Sequence, residues 1–251
     1  MLAALVALSL SLSGTALASY TITSINTTLT LNSNNTASVI EILNVSISNQ
    51  SIAQYSSDRL AQNLTLSTWQ PLVGPQLVEH IINPRGSIYD FNFIPGPMVS
   101  TPGGDAALMK LSYYVTNVTS DNQTGPRLFT YTFNPSVFNF VHAVSGEVLG
   151  NITSLTIILP PSAHIVSVYP VPDAPASAFA HNYRNTTKIS WFQNEPLSNF
   201  ALTYTVTESL QAEVLGFFGS VYEQLGLLDI AIIILVAAAL AIAYAYIKAS
   251  R

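Results

Sequence analysis

Between the two ends of the chain, apolar positions recur at every second residue. Phe200, Leu202, Tyr204 and Val206 alternate with Ala201, Thr203, Thr205 and Thr207. Met109, Leu111, Tyr113 and Val115 alternate with Leu108, Lys110, Ser112 and Tyr114. A period of two puts one face of an extended segment on a core and the other in water, so both read as half-buried strands. Phe129, Tyr131 and Phe133 resume the pattern after a polar stretch from Thr116 to Pro126, which predicts a hairpin with a polar tip. Further strands are expected at Ile22 to Leu31, Ala37 to Ile47, Ile88 to Phe93, Ile152 to Leu159, His164 to Tyr169 and Lys188 to Phe192. Many short strands joined by polar turns predict a mainly β fold, an antiparallel β-sandwich of one large or two small modules.

Three segments break the period. Ser51 to Leu64 and Pro135 to Ser145 have apolar spacings, such as Val137, Phe140, Val141 and Val144, that suit a short helix as well as a strand, and they are read as helix. The run from Pro95 to Gly104 is dense in Pro and Gly, which deny it regular structure. It reads either as a linker (95–106) between an N-terminal β module (19–94) and a C-terminal one (107–208), or as a long loop within one module.

Long apolar runs occur only at the ends. Residues 1–18 have the form of a secretory signal peptide, with an apolar stretch from Leu2 to Leu12 and small residues at Ala16 and Ala18. No Lys or Arg precedes that stretch, a departure from the usual pattern. Residues 225–247 are apolar apart from Asp229, and about 34 Å of helix at 1.5 Å per residue is enough to cross a bilayer. Lys248 and Arg251 follow at once, while no Lys or Arg lies between Lys188 and Lys248. The asymmetry predicts a single transmembrane helix with a cytoplasmic tail (248–251) and the bulk of the chain outside the cell membrane. Ala237, Ala241 and Ala245 share one face of that helix and would let a neighbouring span approach. Residues 209–224, with Leu210, Val214, Phe217 and Val221 on one side, read as an amphipathic juxtamembrane stalk or a final stretch packed on the ectodomain.

Composition narrows the chemistry. Cysteine is absent, which excludes disulfides, thiolate metal sites and a thiol nucleophile. From Ser19 to Glu208 there are six Lys/Arg against ten Asp/Glu and no basic cluster, which argues against nucleic acid as a partner. Asn-x-Ser/Thr sequons occur at Asn26, Asn34, Asn44, Asn49, Asn63, Asn117, Asn122, Asn151 and Asn185. The 18 asparagines and the Ser/Thr content would give roughly four by chance, so the count is about doubled. With export, this excess predicts glycosylation.

Catalytic motifs are lacking. His80, His142, His164 and His181 have no metal-ligand spacing, and there is no nucleophile elbow, phosphate-binding glycine loop or zinc-protease helix. No cofactor or metal is expected. The Glu79–His80 pair could act as acid or base if folded beside Asp90, and an exported hydrolase or solute-binding protein would need Glu79, His80, Asp90 or His142 together in a cleft. As strand neighbours facing opposite ways, however, Glu79 and His80 read as a surface pair. Trp69, Trp191, Tyr113, Tyr131 and Tyr204 read as core packing rather than a sugar-stacking platform.

Several stretches carry a resemblance. They are Thr28-Leu-Thr-Leu-Asn-Ser-Asn-Asn-Thr-Ala-Ser-Val-Ile-Glu41, Ile157-Ile-Leu-Pro-Pro-Ser-Ala-His-Ile-Val-Ser-Val-Tyr-Pro170, and Ile189-Ser-Trp-Phe leading to Phe200-Ala-Leu-Thr-Tyr204. Over about a third of its length the chain resembles exported, single-span archaeal surface proteins with β-sandwich ectodomains, and in layout alone it is similar to ribophorin, an oligosaccharyltransferase subunit. The resemblance implies no active-site residues. The expected function is a non-enzymatic, membrane-anchored extracellular glycoprotein with a structural or adhesive role in an envelope layer. The alternative is a single-span accessory subunit of an oligosaccharyltransferase or translocation machine, contacting other membrane proteins through the ectodomain or the alanine face.

Overall fold

The computed structural model describes residues 20–61, 65–84, 88–125, 127–144, 146–175 and 186–207. Within them the chain is mainly β. Strand β1 (Tyr20–Leu31) turns into β2 (Ala37–Ile47), and two helices follow, α1 (Ile52–Leu60) and α2 (Leu66–Val73). Next come β3 (Ile88–Thr101), β4 (Gly104–Val115), β5 (Thr119–Gly125), β6 (Leu128–Phe133) and the short pair β7 (Val141–Ala143) and β8 (Gly146–Val148). The series continues with β9 (Thr153–Ile158), β10 (Ala163–Tyr169), β11 (Lys188–Trp191) and β12 (Ala201–Thr207).

Six strands form one sheet in the order β11-β9-β1-β2-β4-β3, and four form another in the order β10-β12-β6-β5. The pairs β1/β2, β2/β4, β3/β4 and β9/β11 are antiparallel, as expected, whereas β1 and β9 run parallel. On the six-stranded sheet the alternating residues Ile25, Leu29, Val39, Leu43, Met109, Leu111, Leu155 and Ile157 are buried. Phe200 stacks edge-on against Trp191 of β11 at 5.1 Å and against Phe133 of β6 at 5.3 Å, so one aromatic cluster touches both sheets. Asn35, in the left-handed region at φ 61°, accepts from Thr119 Oγ1 at 2.9 Å and donates to Asp121 Oδ1 at 2.6 Å, tying the β1–β2 turn to β5. This pattern fits the expected sandwich.

Two compact units are distinguished, residues 1–122 with 130–205, and residues 123–129 with 206–251. The first holds nearly all the described residues. Those of the second are 123–125 and 127–129, around the β5–β6 turn, and the last two residues of β12.

The structure departs from the sequence reading at several places. The Pro/Gly run at 95–106 is neither linker nor loop, since it forms the β3–β4 hairpin. The reason is position, because β3 is an edge strand, where prolines lose no ladder bond and irregular pairing is tolerated. Strands from the expected N-terminal and C-terminal modules also share the six-stranded sheet, so 95–106 is not a boundary within it. The hairpin expected between β4 and β6 is replaced by β5, an almost wholly exposed strand beside β6 in the other sheet. Its backbone pairs while its side chains stay in water, which periodicity cannot detect. In place of a helix at 135–145 stand a 3-10 turn at Pro135–Val137 and β7. Of the residues that set the helical spacing, Val137 and Phe140 are buried whereas Val141 and Val144 are exposed, so the expected apolar face does not stay on the core.

Helix α1 lies within the segment read as helix, and α2 was not anticipated. Pro71 inside α2 hides it, although Thr65 and Thr68 form a reciprocal cap at its start and Gly74, at φ 117°, ends it. Both helices pack through aromatics. Tyr55 of α1 meets Tyr20 edge-on at 5.2 Å and Trp69 of α2 at 5.6 Å, and Trp69 meets Phe93 of β3 at 6.1 Å. Each such pair contributes about 0.5–1.5 kcal/mol beyond area burial. The Tyr55 hydroxyl donates to the Gly96 carbonyl at 2.8 Å, and Arg59 Nε to that of Pro95 at 3.3 Å, so α1 satisfies the bulged edge of β3.

The expected signal peptide, stalk, transmembrane helix and tail lie outside the described residues, as do Asn63, Asn185, Ala237, Ala241 and Ala245. Among the described residues no helix is long and apolar enough to cross a membrane.

At Gly96 a side chain has no room, since a Cβ would stand 2.4 Å from the Leu108 carbonyl oxygen. Gly96→Ala is expected to destabilise the domain by about 1–3 kcal/mol. The check is a lowered urea midpoint at an unchanged slope.

Candidate functional site

Among the described residues, titratable side chains gather around Glu41. Residues Val39, Glu41, Leu43 and Val45 of β2 alternate on the buried side of the six-stranded sheet, so strand parity carries the carboxylate inward, and it is fully buried. An ionised carboxylate there needs donors on both oxygens. Oε1 accepts the His80 backbone N–H at 2.9 Å and the Tyr113 hydroxyl, and Oε2 lies 2.5 Å from His80 Nδ1. With two donors on Oε1 the group acts as acceptor, which assigns the imidazole hydrogen to Nδ1. Tyr113 in turn accepts the Ile81 N–H at 3.2 Å.

These bonds hold the segment around His80 on the sheet. A second set holds it from the far side, where Asn139 N–H donates to the His80 carbonyl at 2.8 Å and Ile82 N–H to that of Val137 at 2.7 Å. The His80 ring stacks on Phe140 at 5.4 Å. The expectation of a surface Glu79–His80 pair is therefore corrected for His80, which is only 6% exposed because its backbone and ring are both partners of Glu41. Burial is the main reason that the Tyr113 phenol is pushed far above its ordinary range, with the Glu41 charge adding to it.

A cleft of about 150 Å³ opens beside His80, lined by Ile25, Val78, Asn139, Phe140 and Thr153 among others. The other residues considered as acid or base have different surroundings. Asp90 is exposed on β3 at φ 52°. His142 is exposed on β7, with Nδ1 3.8 Å from Glu147 Oε1 on β8. Burial raises the Glu147 carboxyl above its usual range, and His142 opposes that shift. Among the described residues no group of three or more His, Asp or Glu is placed to hold a metal ion. Trp69, Trp191, Tyr113, Tyr131 and Tyr204 are all buried, as core packing requires, though Trp69 sits on a helix rather than a strand.

Seven of the sequon asparagines are described. Asn26, Asn34, Asn49, Asn117, Asn122 and Asn151 are exposed, and Asn44 is half-buried. Asn34 occupies the β1–β2 turn, where its Oδ1 accepts from the hydroxyl of its own sequon residue Thr36 at 2.6 Å. Asn26 and Asn44 instead stand within strands on the outward face of the six-stranded sheet. Asn26 Oδ1 accepts from Ser154 Oγ at 2.8 Å, and Asn44 Nδ2 donates to Ser24 Oγ at 2.6 Å.

No family model and no curated protein matches the chain. Among solved structures it is similar to the Fcho1 Mu homology domain of Danio rerio with bound Eps15 peptide. The identity is 12% over 75% of this chain and 78% of that one, with a TM-score of 0.22. Neither fold nor function follows from a likeness of that size.

The Glu41 centre was missed in the sequence although its signal was present. Glu41 is in phase with Val39, Leu43 and Val45, but the outward Ile40 and Ile42 blur the alternation.

Two outcomes are expected. Glu41→Leu strands three buried donors and should cost about 3–5 kcal/mol, while Glu41→Gln keeps one acceptor oxygen and should cost less, as read from urea midpoints. The second concerns alkali. Burial pushes the Tyr55 phenol up to about 12 and those of Tyr20, Tyr113 and Tyr204 higher still. In the unfolded chain the same phenols ionise near 10, so the stability they contribute is complete below about pH 10 and is lost as pH rises through the folded values. Urea midpoints should fall above about pH 10, and phenolate absorbance of these four should appear only together with unfolding.

Proposed function

We propose that the protein is an exported glycoprotein, held in the cell membrane by residues 225–247, whose β-sandwich ectodomain has a structural or adhesive role at the cell surface rather than a catalytic one. The observation that carries this reading is the placement of the sequons, since six of the seven described sequon asparagines are exposed and none of the seven is buried. The use of the titratable groups supports it too. Glu41, the His80 Nδ1–H and the Tyr113 hydroxyl are engaged with one another, a use that fixes a loop to a sheet. The aromatic cluster of Phe133, Trp191 and Phe200 supports the sandwich arrangement.

In this reading the full-length chain stays with membranes through alkaline carbonate washing, and protease added outside intact cells digests residues 20–207. Glycosidase treatment lowers its apparent mass. Release by carbonate, or protection from external protease, would overturn the assignment. Purification in mild detergent separates the two roles considered for such a chain, because an accessory subunit brings a stoichiometric membrane partner and a surface protein comes alone or in envelope sheets.

A further inference from the structure

The outward face of the six-stranded sheet carries an apolar patch along β3 and β4. Leu108 is 53% exposed, Val99 58% and Ile94 47%. A cleft of about 300 Å³ runs through it, lined by Asn44, Pro97, Val99, Thr101, Ala106, Ala107 and Leu108. That volume lies at the small end of ligand pockets. Asn44 is the acceptor residue of the sequon Asn44-Val-Ser46 and pairs across the sheet with Leu108 on one side and Ser24 on the other. The one half-buried sequon asparagine of the described set is thus built into the wall of an apolar cleft.

We infer that the cleft is the seat of the Asn44 glycan, whose first sugars lie over Pro97, Val99 and Leu108 and cover the patch. The inference rests on the glycoprotein reading above and deepens it. Chemically, Nδ2 of Asn44 bonds to C1 of a sugar supplied by an activated glycosyl donor. The C1–O bond to the donor's phosphate breaks, the phosphate keeps the electron pair, and the amide gives up one proton. Nδ2 starts with two hydrogens, so one is left to donate to Ser24 Oγ, the bond that aims the side chain now. The C–H face of a pyranose is apolar and its rim is hydroxylated, which suits an occupant that covers Leu108 and Val99 while presenting polar groups to water. An exposed apolar face beside an edge strand invites association, and a covalently tethered sugar blocks it without conformational change in the sheet.

The test uses the full chain purified in mild detergent from a glycosylating host. Peptide mass spectrometry should find sugar on Asn44. Ser46→Ala removes that sequon and leaves Asn44 and its bond to Ser24 in place, whereas Ser51→Ala removes the exposed Asn49 sequon as a control. Fluorescence of an apolar-surface dye should rise for Ser46→Ala and stay level for Ser51→Ala. Enzymatic trimming of the unsubstituted chain should give the same rise, which guards against a folding defect in the variant. Sugar on other sequons with Asn44 bare, equal dye signals from the two variants, or a second copy of the chain found on this face would overturn the inference and spare the glycoprotein reading. Absence of sugar at every sequon would overturn both.

Discussion

A carboxylate in the middle of a six-stranded sheet, with strands on both sides, is stable only if its charge is answered from within the protein. Glu41 meets that condition through the His80 backbone, the His80 ring and the Tyr113 hydroxyl. The answer fixes more than one side chain. It requires the segment around His80 to lie over the β2 and β4 face of the sheet, and that segment then offers Ile81 as a bridge partner to Phe138. The connection after α2, the turn after β6 and the core face of β2 are therefore positioned by one charge. Such a centre contributes little net stability compared with an apolar replacement of equal shape, but it specifies one arrangement, because every misplaced donor leaves a buried charge unanswered.

The apolar face is handled differently at its two sides. Inside, the alternating residues and the aromatic cluster close the core. Outside, the β3 edge is blunted by Pro95 and Pro97 and bulged between Tyr89 and Asn92 and between Pro95 and Met98, which leaves few regular backbone positions for another strand to pair with. Helix α1 completes the protection by taking the carbonyls of Pro95 and Gly96.

Most strands were legible because burial on one face of a sheet leaves a period of two. The bounds of β2 were read as they stand, and those of β1, β9, β10 and β11 fall within two residues of the reading. What was not legible lacks that cause. Strand β5 buries almost nothing, the prolines of β3 break the local pattern although its edge position tolerates them, and α2 contains a proline. The parallel pairing of β1 with β9 depends on residues distant in sequence, which no local pattern reports. Of the candidate site, the sequons were legible as a motif, and their exposure followed from the turns and the outward phase of the strands. The Glu41–His80 contact was not, since it joins two segments whose local patterns are independent.

The β1–β9 pairing governs the order in which the sheet is completed. Asn26 and its neighbour Ser154 are 128 positions apart, whereas β1 and β2 are joined by a short turn. During synthesis the first hairpin can form early, but its outer strand has no second neighbour until most of the chain has emerged. Such nonlocal closure is slow. Asn26, Asn34, Asn44 and Asn49 all belong to this early-emerging hairpin or its immediate continuation. Under the glycoprotein proposal, an enzyme working on the nascent chain would meet them while the sheet that shelters their backbone is still unfinished.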